Sequence, residues 1–313
     1  MITSWDNSLG LVERMLVLRA LPALAQLSEH DLAIVANQAS ERVFRRGEVL
    51  LRQGEPVEVT HVVVEGRVEI LENGQRVASS ERRIGIGSLA MLSNVHAKRS
   101  VIAQEDTLVL ELHQHRLRDV FEEHFSILGR FIEFIARECI ATFTDLKMDL
   151  SIPAVARAMP VSLPSVQRDL DMVERILVIR QVPAFRRGSL DAVAQYAKLL
   201  DQIYIPKGEV LWRQGEDCFH YLHMVHGHTR CSRDGESWTL RYGAPGMPGF
   251  FGALGRTDCW NTAVAETDLV ALRADREILP DVLEDNFEMA RNFLSAAARR
   301  LTHILELRDR EGQ

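Results

Sequence analysis

Hydrophobic residues in two stretches of the chain recur at the spacing of an α-helix. Around residue 135 the apolar positions alternate in steps of three and four: Phe125, Leu128, Ile132, Ile135, Cys139, Thr142 and Leu146. Near the end of the chain the same alternation returns: Phe287, Ala290, Leu294, Ala297, Leu301 and Ile304. This alternation keeps one apolar stripe on one side of a helix and is typical of paired helices. It predicts closing helices at 116–148 and 276–308, which pair within one chain or between two. A helix packed on its own domain also needs such a stripe.

Short apolar segments separated by turn residues precede each closing helix. Gly47, Gly54, Gly66 and Gly74 follow one another at intervals of seven to twelve residues, which is typical of the short strands of a barrel or sandwich. Asn73-Gly74 predicts a hairpin because both central residues of a type I′ turn have positive φ. We therefore expect an α+β fold of two tandem antiparallel β-barrel or jelly-roll domains. Each would be flanked by N-terminal helices and a long C-terminal helix.

The two halves of the chain are copies of one another. LVERMLVLRALPAL, which begins at Leu11, corresponds to MVERILVIRQVPAF, which begins at Met172, at an offset of 161 residues. The offset is 162 where Asp106 corresponds to Asp268. A correspondence over nearly the whole of each half indicates a duplicated domain.

The duplication predicts two domains, at residues 1–148 and 165–313. Residues 149–164 between them contain Pro153, Pro160 and Pro164, which interrupt a helix. We expect this stretch to be the linker.

The composition and the spacing of the cysteines argue against several classes of protein. Lys and Arg number 37 against 44 Asp and Glu, and the net charge of −7 argues against binding nucleic acid or anionic membrane by bulk charge. The four cysteines form no Cys-x-x-Cys pair, so neither a disulfide framework nor a zinc site is expected. With no signal peptide and no apolar run long enough to span a membrane, we expect a cytoplasmic protein.

Segments 44–74 and 205–235 contain the most specific motifs: Gly-Glu, then Gln-Gly-Glu, then an apolar strand that ends in Gly, then a hairpin. In these motifs each copy resembles the cyclic nucleotide-binding domain of the catabolite activator protein, the protein kinase A regulatory subunit and gated channels. The resemblance implies a ligand that lies in the barrel over a short helix, the phosphate-binding cassette, with the pattern Phe-Gly-Glu-Leu-Ala-Leu-Leu. In that family the helix N-terminus and a following Arg bind the cyclic phosphate, and the Glu accepts a hydrogen bond from the ribose.

The first copy has a cassette in which both of these side chains differ from the family pattern. Ser88 stands at the Glu position of the cassette and Ala97 at the Arg position. The resemblance implies that cyclic AMP or cyclic GMP binds this copy at Gly87, Ser88, Leu89, Ala90, Lys98, Arg99 and Ser100. The alternative is that Ser88 only caps the helix and that Lys98 and Arg99 are solvated.

The second copy departs further from the family pattern. Aligned on Phe251-Gly252, Ala253 replaces the Glu, and Cys259, Trp260 and Asn261 leave no cation in the Arg region. We expect Trp260 to fill the pocket or to cover an apolar ligand. The expected degenerate second pocket is Gly252, Ala253, Leu254, Trp260, Asn261 and Thr262.

Two further motifs were weighed against simpler interpretations. His220, His223, His226 and His228 cluster in sequence, but a metal site needs ligands from several elements, so we expect no metal. Residues 152–170 resemble a helix-turn-helix that would present Ser165, Gln167 and Arg168 to DNA. Pro160 stands where the turn needs positive φ, so we do not expect DNA as a partner.

The chain contains no catalytic motif, and we do not expect an enzyme. The resemblance implies a regulatory sensor in which a ligand in the first domain shifts a closing helix that reports to a protein partner, with a homodimer through the closing helices as one arrangement. One alternative is a ligand-independent scaffold or adaptor of a larger assembly. The other is a transcription regulator that uses the 152–170 segment.

Overall fold

The structure, a computed structural model, describes residues 8–81, 84–152 and 168–311. By its internal contacts the chain divides into two compact units, residues 1–131 and 132–313. The boundary expected from the repeat, at residue 148, separates the sequence copies. The contact boundary lies earlier, so residues 132–148 come from the first sequence copy but belong to the second unit.

The first unit consists of lead-in helices, short strands and the start of a closing helix. Its elements, the last of which continues into the second unit, are α1 (Leu11–Leu18), α2 (Pro22–Ala25), α3 (Glu29–Gln38), β1 (Ser40–Phe44), β2 (Val49–Leu51), β3 (Val59–Glu65), β4 (Arg67–Glu72), β5 (Gln75–Glu81), β6 (Gly85–Ile86), α4 (Ser88–Ser93), β7 (Ser100–Ala103), β8 (Thr107–His113), α5 (Gln114–Glu123) and α6 (Phe125–Leu146).

The strands of the first unit form two antiparallel sheets. Their orders are β1-β8-β3-β6 and β2-β7-β4-β5. Alternate side chains of these strands point inward and form one core: Phe44, Leu50, Val63, Val68, Ile86, Val101, Ala103 and Val109. Gly66 joins β3 to β4 at φ +109°, and a Cβ there would lie 2.7 Å from Thr107 Cα. Only glycine satisfies both the dihedral angle and this close approach.

Among the described residues, the second unit repeats most of this order of elements, without a counterpart of β6 and with one added strand before its first helix. After α6 come β9 (Leu150–Ile152), α7 (Met172–Ile179), α8 (Pro183–Arg186), α9 (Leu190–Lys198), β10 (Asp201–Ile205), β11 (Val210–Trp212), β12 (His220–His226), β13 (His228–Ser232), β14 (Thr239–Gly243), α10 (Phe250–Gly255), β15 (Thr262–Ala265), β16 (Leu269–Asp275), α11 (Ile278–Glu284) and α12 (Phe287–Glu311). The sheet orders are β10-β16-β12 and β11-β15-β13-β14-β9. The expected α+β fold is therefore confirmed, and all strand pairings within the two copies are antiparallel; the one exception among the described strands is β9, which pairs in parallel with β14.

Two expectations about the ends of the copies need correction. Each closing helix is two helices, because the chain breaks at His124 between α5 and α6 and at 285–286 between α11 and α12. The expected linker 149–164 begins as a strand: β9 pairs in parallel with β14, from Leu150 opposite Leu240 to Ile152 opposite Tyr242. The Asp149 carboxylate also accepts a hydrogen bond from the Thr239 N–H at 2.6 Å. The rest of that linker lies outside the described residues.

Candidate functional site

The cassette helix of the first copy is α4, which begins after a left-handed glycine. Gly87 is the N-cap at φ +86°, and α4 ends at Asn94, which is also left-handed at φ +53°. Ser88 is therefore the first helical residue and not the cap, which removes the capping role that the sequence left open for it. The Oγ of Ser88 lies close to Gly85: a Cβ built on Gly85 would be 3.1 Å from this oxygen.

The family's arginine position in this copy is a small buried residue. Ala97 is 4% exposed. Its carbonyl accepts from the Gly54 N–H at 2.7 Å and its N–H donates to the Glu55 carbonyl at 2.8 Å. These backbone bonds fix the segment after α4 to the Gln-Gly-Glu motif, so the motif has a structural role that does not depend on a ligand.

The cations expected at this site lie at its rim. Arg99 is exposed and its Nε donates to Glu72 Oε2 at 2.9 Å. Lys98 is exposed, and Ser100 Oγ accepts from the Gln53 N–H at 2.9 Å. The structure thus places Gly87, Ser88, Leu89 and Ala90 at the start of α4, and Lys98, Arg99 and Ser100 at the entry to β7.

Glu72 is a neighbour of the expected site that sequence reasoning missed. It follows Leu71 on β4, and Leu71 lies opposite Ser100 of β7 in the antiparallel register. That register brings the carboxylate of Glu72 beside Arg99. The opposite charges were visible in the sequence, but the pairing of these two strands was not.

The cassette helix of the second copy, α10, begins three residues earlier than the sequence alignment placed it. Gly249 is its left-handed N-cap at φ +82°, and Arg256 is its left-handed C-cap at φ +50°. Gly249 is therefore the counterpart of Gly87, and Phe250 that of Ser88. Gly252, Ala253 and Leu254, assigned from sequence to the start of the cassette, lie inside the helix. Gly252 is small because a Cβ there would lie 2.7 Å from Cys218 Sγ.

An aromatic cluster covers the second cassette. The ring of Phe143 from α6 stacks on Trp260 with centroids 5.9 Å apart and an interplanar angle of 12°. Phe143 also lies 6.2 Å from Phe251, and Trp260 lies 6.4 Å from Trp238. Sequence reasoning placed Trp260 at the pocket but missed Phe143, which lies next to the apolar stripe of α6 and not on it.

Polar contacts attach α6 to the C-terminal end of α10. The Nε of Arg137 donates to the Gly255 carbonyl at 2.7 Å, which satisfies one of the carbonyls that a helix end leaves without a partner. Arg256 pairs with Glu133 of α6 at 3.3 Å and with Glu277 at 2.6 Å. The guanidinium of Arg256 lowers the pKa of the Glu277 carboxyl.

The other two residues expected in the second pocket have structural partners. Asn261 Oδ1 accepts from Trp212 Nε1 at 3.4 Å. Thr262 Oγ1 accepts from the Gln214 N–H at 3.0 Å, as Ser100 does from Gln53 in the first copy. Both copies therefore use a hydroxyl at this position to hold the Gln-Gly-Glu motif.

A cavity of about 440 Å³ remains beside this cluster, and cations reach it from distant segments. Arg137 of α6 and Arg233 after β13 line it together with Cys259 and Trp260. The Nε of Arg233 is buried and has no hydrogen-bond partner among the described residues. The inference from sequence that no cation stands in the arginine region is thus true of the local segment and wrong for the folded unit.

The four histidines of the second copy do not converge. His223 is buried, and its Nε2 lies 2.7 Å from the Tyr196 hydroxyl, which in turn lies 2.6 Å from the Tyr221 hydroxyl. His220 is half-buried, and His226 and His228 are exposed. Burial lowers the pKa of His223 to about 3. In the part of the chain that the structure describes, no group of three or more His, Cys, Asp or Glu could hold a metal ion.

The candidate helix-turn-helix lies mostly outside the described residues, which end at 152 and resume at 168. Of its three expected DNA-reading residues only Arg168 is described. Its guanidinium pairs with Glu174 through contacts of 2.9 and 2.6 Å and lowers the pKa of that carboxyl.

Comparison with known families identifies the first copy. Residues 41–124 match the model of the cyclic nucleotide-binding domain, which confirms the resemblance found in the motifs. The curated "Putative potassium channel protein" of Rhodopseudomonas palustris is 29% identical over 119 residues, covering 37% of this chain. That match spans 29% of the relative's own length, so the channel is mostly made of segments with no counterpart in the match.

Solved structures of regulatory proteins are also similar to this chain. A protein kinase A regulatory subunit from Trypanosoma cruzi, bound to guanosine, is 15% identical, with coverage of 93% of this chain and 87% of that one and a TM-score of 0.38. The regulatory domain of Toxoplasma gondii protein kinase A with cAMP is 14% identical, with coverage of 91% and 95% and a TM-score of 0.35. The N-terminal domain of a Streptomyces coelicolor transcriptional regulator is 23% identical, with coverage of 39% and 90% and a TM-score of 0.37. At these values the likeness identifies no ligand and no partner.

No helix within residues 8–81, 84–152 and 168–311 is both long enough and apolar enough to cross a membrane.

Proposed function

We propose that this chain is a non-enzymatic regulatory sensor with tandem cyclic nucleotide-binding-like domains, of which only the first receives a cyclic nucleotide. The family match of residues 41–124 supports the domain type. The observation that carries the asymmetry is the stacking of Phe143 on Trp260 at the second cassette. At the repeat offset of 162 the first copy has Lys98 where the second has Trp260, and Leu89 where the second has Phe251, so it lacks these aromatic rings.

In the first copy, Arg99 is the side chain we propose for the cyclic phosphate. To bind the phosphate, the guanidinium of Arg99 must break its ion pair with Glu72. Both side chains of this pair are nearly half exposed. Exposed ion pairs contribute about 0–1 kcal/mol, so the exchange costs little. The missing Glu and Arg of the family pattern reduce affinity, which favours a ligand present at high concentration or one that differs from cyclic AMP.

In the second copy, we propose that the aromatic cluster replaces the ligand. Phe143 is 2% exposed, and its ring covers the cassette residues Phe251 and Trp260. Helix α6 contributes residues 125–131 to the first unit and residues 132–146 to the second. We propose that a ligand in the first unit acts on α6 and that the change reaches the second unit through this continuous helix. The ligand must then prefer one position of α6 over another.

Restoring the family pattern in the first copy tests this proposal. The double variant Ser88→Glu with Ala97→Arg supplies the carboxylate and the cation, and we expect cyclic AMP or cyclic GMP to bind at least tenfold more tightly by calorimetry. The matched control is Phe250→Glu with Cys259→Arg at the equivalent positions of the second copy, with folding checked by circular dichroism. We expect no gain there because Phe143 covers that cassette. If neither the wild type nor the restored variant binds any cyclic mononucleotide or dinucleotide, the sensor proposal fails.

A ligand-independent adaptor is the second candidate function, and one surface feature favours it. Helices α1 and α7 expose apolar side chains at equivalent positions of the two copies: Leu11, Val12 and Leu16, and Met172, Val173 and Leu177. Two equivalent exposed apolar faces fit a protein that binds a partner at both copies. Val12→Asp and Val173→Asp would each weaken such a complex in co-purification, with the same loss in the presence and absence of cyclic nucleotide.

A further inference from the structure

The second unit contains a cavity of about 660 Å³ that lies apart from the arginine position of its cassette. It is open to solvent on one side and is bordered by α8, by the loop from β14 to α10 and by α12. Small-molecule sites in proteins typically measure about 300–1,000 Å³ and combine an apolar lining with a few polar groups. The cavity has the size of such a site.

One side of this cavity is an aromatic surface. Tyr242, Phe250 and Phe293 are buried and line it, together with the partly exposed Phe251. The ring of Phe293 lies 5.4 Å from that of Phe250 and 5.7 Å from that of Phe185. These contacts hold the rings in place, so the surface offers a preformed apolar face to a ligand.

Cations line another part of the cavity. Four arginines and one histidine contribute to it: Arg186, Arg187, Arg299, Arg300 and His303. The described lining residues include no Asp or Glu. In a chain of net charge −7 this concentration of positive charge is local, and its summed field favours an anion over a neutral or cationic ligand.

The duplicated sequence shows that the fold does not require most of these cations. At the repeat offsets the first copy has Ala25, Gln26, Glu138 and Ala141 where the second has Arg186, Arg187, Arg300 and His303. It also has Ser88 where the second has Phe250. Only Arg299 and Phe293 have a like counterpart in the first copy, Arg137 and Phe131. The other cations of the cavity, and Phe250 with its neighbour Phe251, are therefore particular to the second copy.

We propose that this cavity binds an amphipathic anion, a single-chain carboxylate of the fatty-acid type. The carboxylate would pair with the guanidinium groups, which match its two oxygens, and the tail would lie on the aromatic rings. A nucleoside presents sugar hydroxyls and base amino groups that need acceptors, and the described lining has no carboxylate to accept them. The site is distinct from the cyclic nucleotide site proposed for the first copy.

Such a ligand would contact both α8 and α12. Helix α12 follows α11 at the end of the second unit, and Phe293 of α12 packs against Phe185 of α8. A molecule that binds only the folded unit raises its stability in proportion to the logarithm of its concentration. We expect bound carboxylate to hold α12 against α8.

Calorimetry and thermal unfolding of the full chain with dodecanoate test the proposal. We expect dodecanoate to bind and to raise the melting temperature, whereas butyrate lacks the tail and dodecyltrimethylammonium has the wrong charge. Arg186→Glu with Arg187→Glu, both exposed, should weaken dodecanoate binding at least tenfold. Arg230→Glu, at an exposed position of β13 away from the cavity, is the matched control and should bind as the wild type does.

A second variant tests whether the apolar part of the cavity holds the tail of the ligand. Ala296 is a partly exposed lining residue of α12, and Ala296→Phe should fill the cavity and abolish dodecanoate binding, with the fold verified by circular dichroism. The proposal is overturned if the wild type does not bind dodecanoate. It is also overturned if dodecyltrimethylammonium binds equally well, or if both cavity variants bind as the wild type does. An Arg99→Ala variant should bind dodecanoate normally, which separates this site from the proposed cyclic nucleotide site.

Discussion

Phe143 and Trp260 lie 117 positions apart in the chain, and their rings stack at 5.9 Å with an interplanar angle of 12°. Phe143 belongs to the first sequence copy and Trp260 to the cassette of the second. The guanidinium of Arg300 from α12 lies over the ring of Phe143, 5.5 Å from its centroid. Phe143 thereby contacts both the cassette and the last helix of the second unit.

Removing this ring should destabilise the second unit. Phe143→Ala deletes a buried aromatic side chain, and such changes cost about 3–5 kcal/mol. Urea unfolding followed by tryptophan fluorescence measures the change, because Trp212, Trp238 and Trp260 all lie in this unit. The matched control is Phe134→Ala on the same helix, where a partly exposed ring should cost less. Equal losses in the two variants would contradict the role assigned to Phe143.

Gly66 should be the least replaceable of the turn glycines in the first unit. Gly66→Ala adds a Cβ that meets Thr107 at 2.6–2.9 Å, whereas Gly74→Ala, at φ +79°, meets nothing within 4 Å. We expect about 1 kcal/mol from the left-handed backbone in Gly74→Ala and roughly 3 kcal/mol or more in Gly66→Ala. Thermal unfolding of the two variants checks the difference. A Gly66→Ala protein as stable as Gly74→Ala would mean that the backbone at Thr107 moves freely.

Burial of His223 should make the second unit sensitive to acid. Its pKa in the folded state is about 3, below the ordinary value of 6.5, so the unfolded chain binds a proton that the folded chain does not. Stability should therefore be complete above pH 6.5 and fall as the pH drops from 6.5 towards 3. At the acid end the loss is on the order of 5 kcal/mol.

The His223→Gln variant isolates this contribution, since its amide can bond to Tyr196 without titrating. Burial also lowers the pKa of His61 and His220, so the wild type minus the variant, and not the wild type alone, is the relevant quantity. Urea midpoints at pH 7.5, 6.0 and 5.0 measure it. A difference that stays constant across these pH values would show that His223 does not titrate as assigned.

The two variants that break the Arg99–Glu72 ion pair should change the affinity of the first copy for cyclic nucleotide in opposite directions. Glu72→Gln removes the carboxylate that competes for the guanidinium, so cyclic nucleotide should bind several-fold more tightly. Arg99→Ala removes the cation, and binding should fall at least tenfold, or about 1.4 kcal/mol. Calorimetry with cyclic AMP and cyclic GMP measures both, and the stability of each variant should stay within about 1 kcal/mol of the wild type. Tighter binding by Arg99→Ala would contradict the assignment of Arg99.

Much of the fold was predictable because its signals are local. The left-handed glycines at 47, 54, 66 and 74, and their counterparts at 208, 215, 227 and 235, all occupy positive φ in the structure. Each of these turns is decided by a few neighbouring residues. Because the second copy repeats the same turns, the sequence predicts them twice, and the structure has them in both copies.

The family motif misplaced the register of the second cassette, although the repeat offset of 162 that relates Asp106 to Asp268 also relates Ser88 to Phe250. The segment Pro248-Gly249-Phe250-Phe251-Gly252 offers two glycines, and the motif favoured the second of them. The structure selects Gly249, because only there does the chain turn through positive φ, and Gly252 instead makes room for Cys218. The deciding contact comes from a residue 34 positions away, which no local pattern contains.

The sequence by itself determined that this protein is a duplicated α+β domain, whose first copy has motifs that resemble the cyclic nucleotide-binding domain and whose second copy has a more altered cassette. Tertiary structure alone decided that Phe143 covers that cassette, that Glu72 engages Arg99, and that Arg186, Arg187 and Arg300 line one cavity with Phe250. The reason is physical. Turns and helix stripes depend on the conformational preferences of adjacent residues, whereas sites are assembled by packing side chains from segments far apart in the chain.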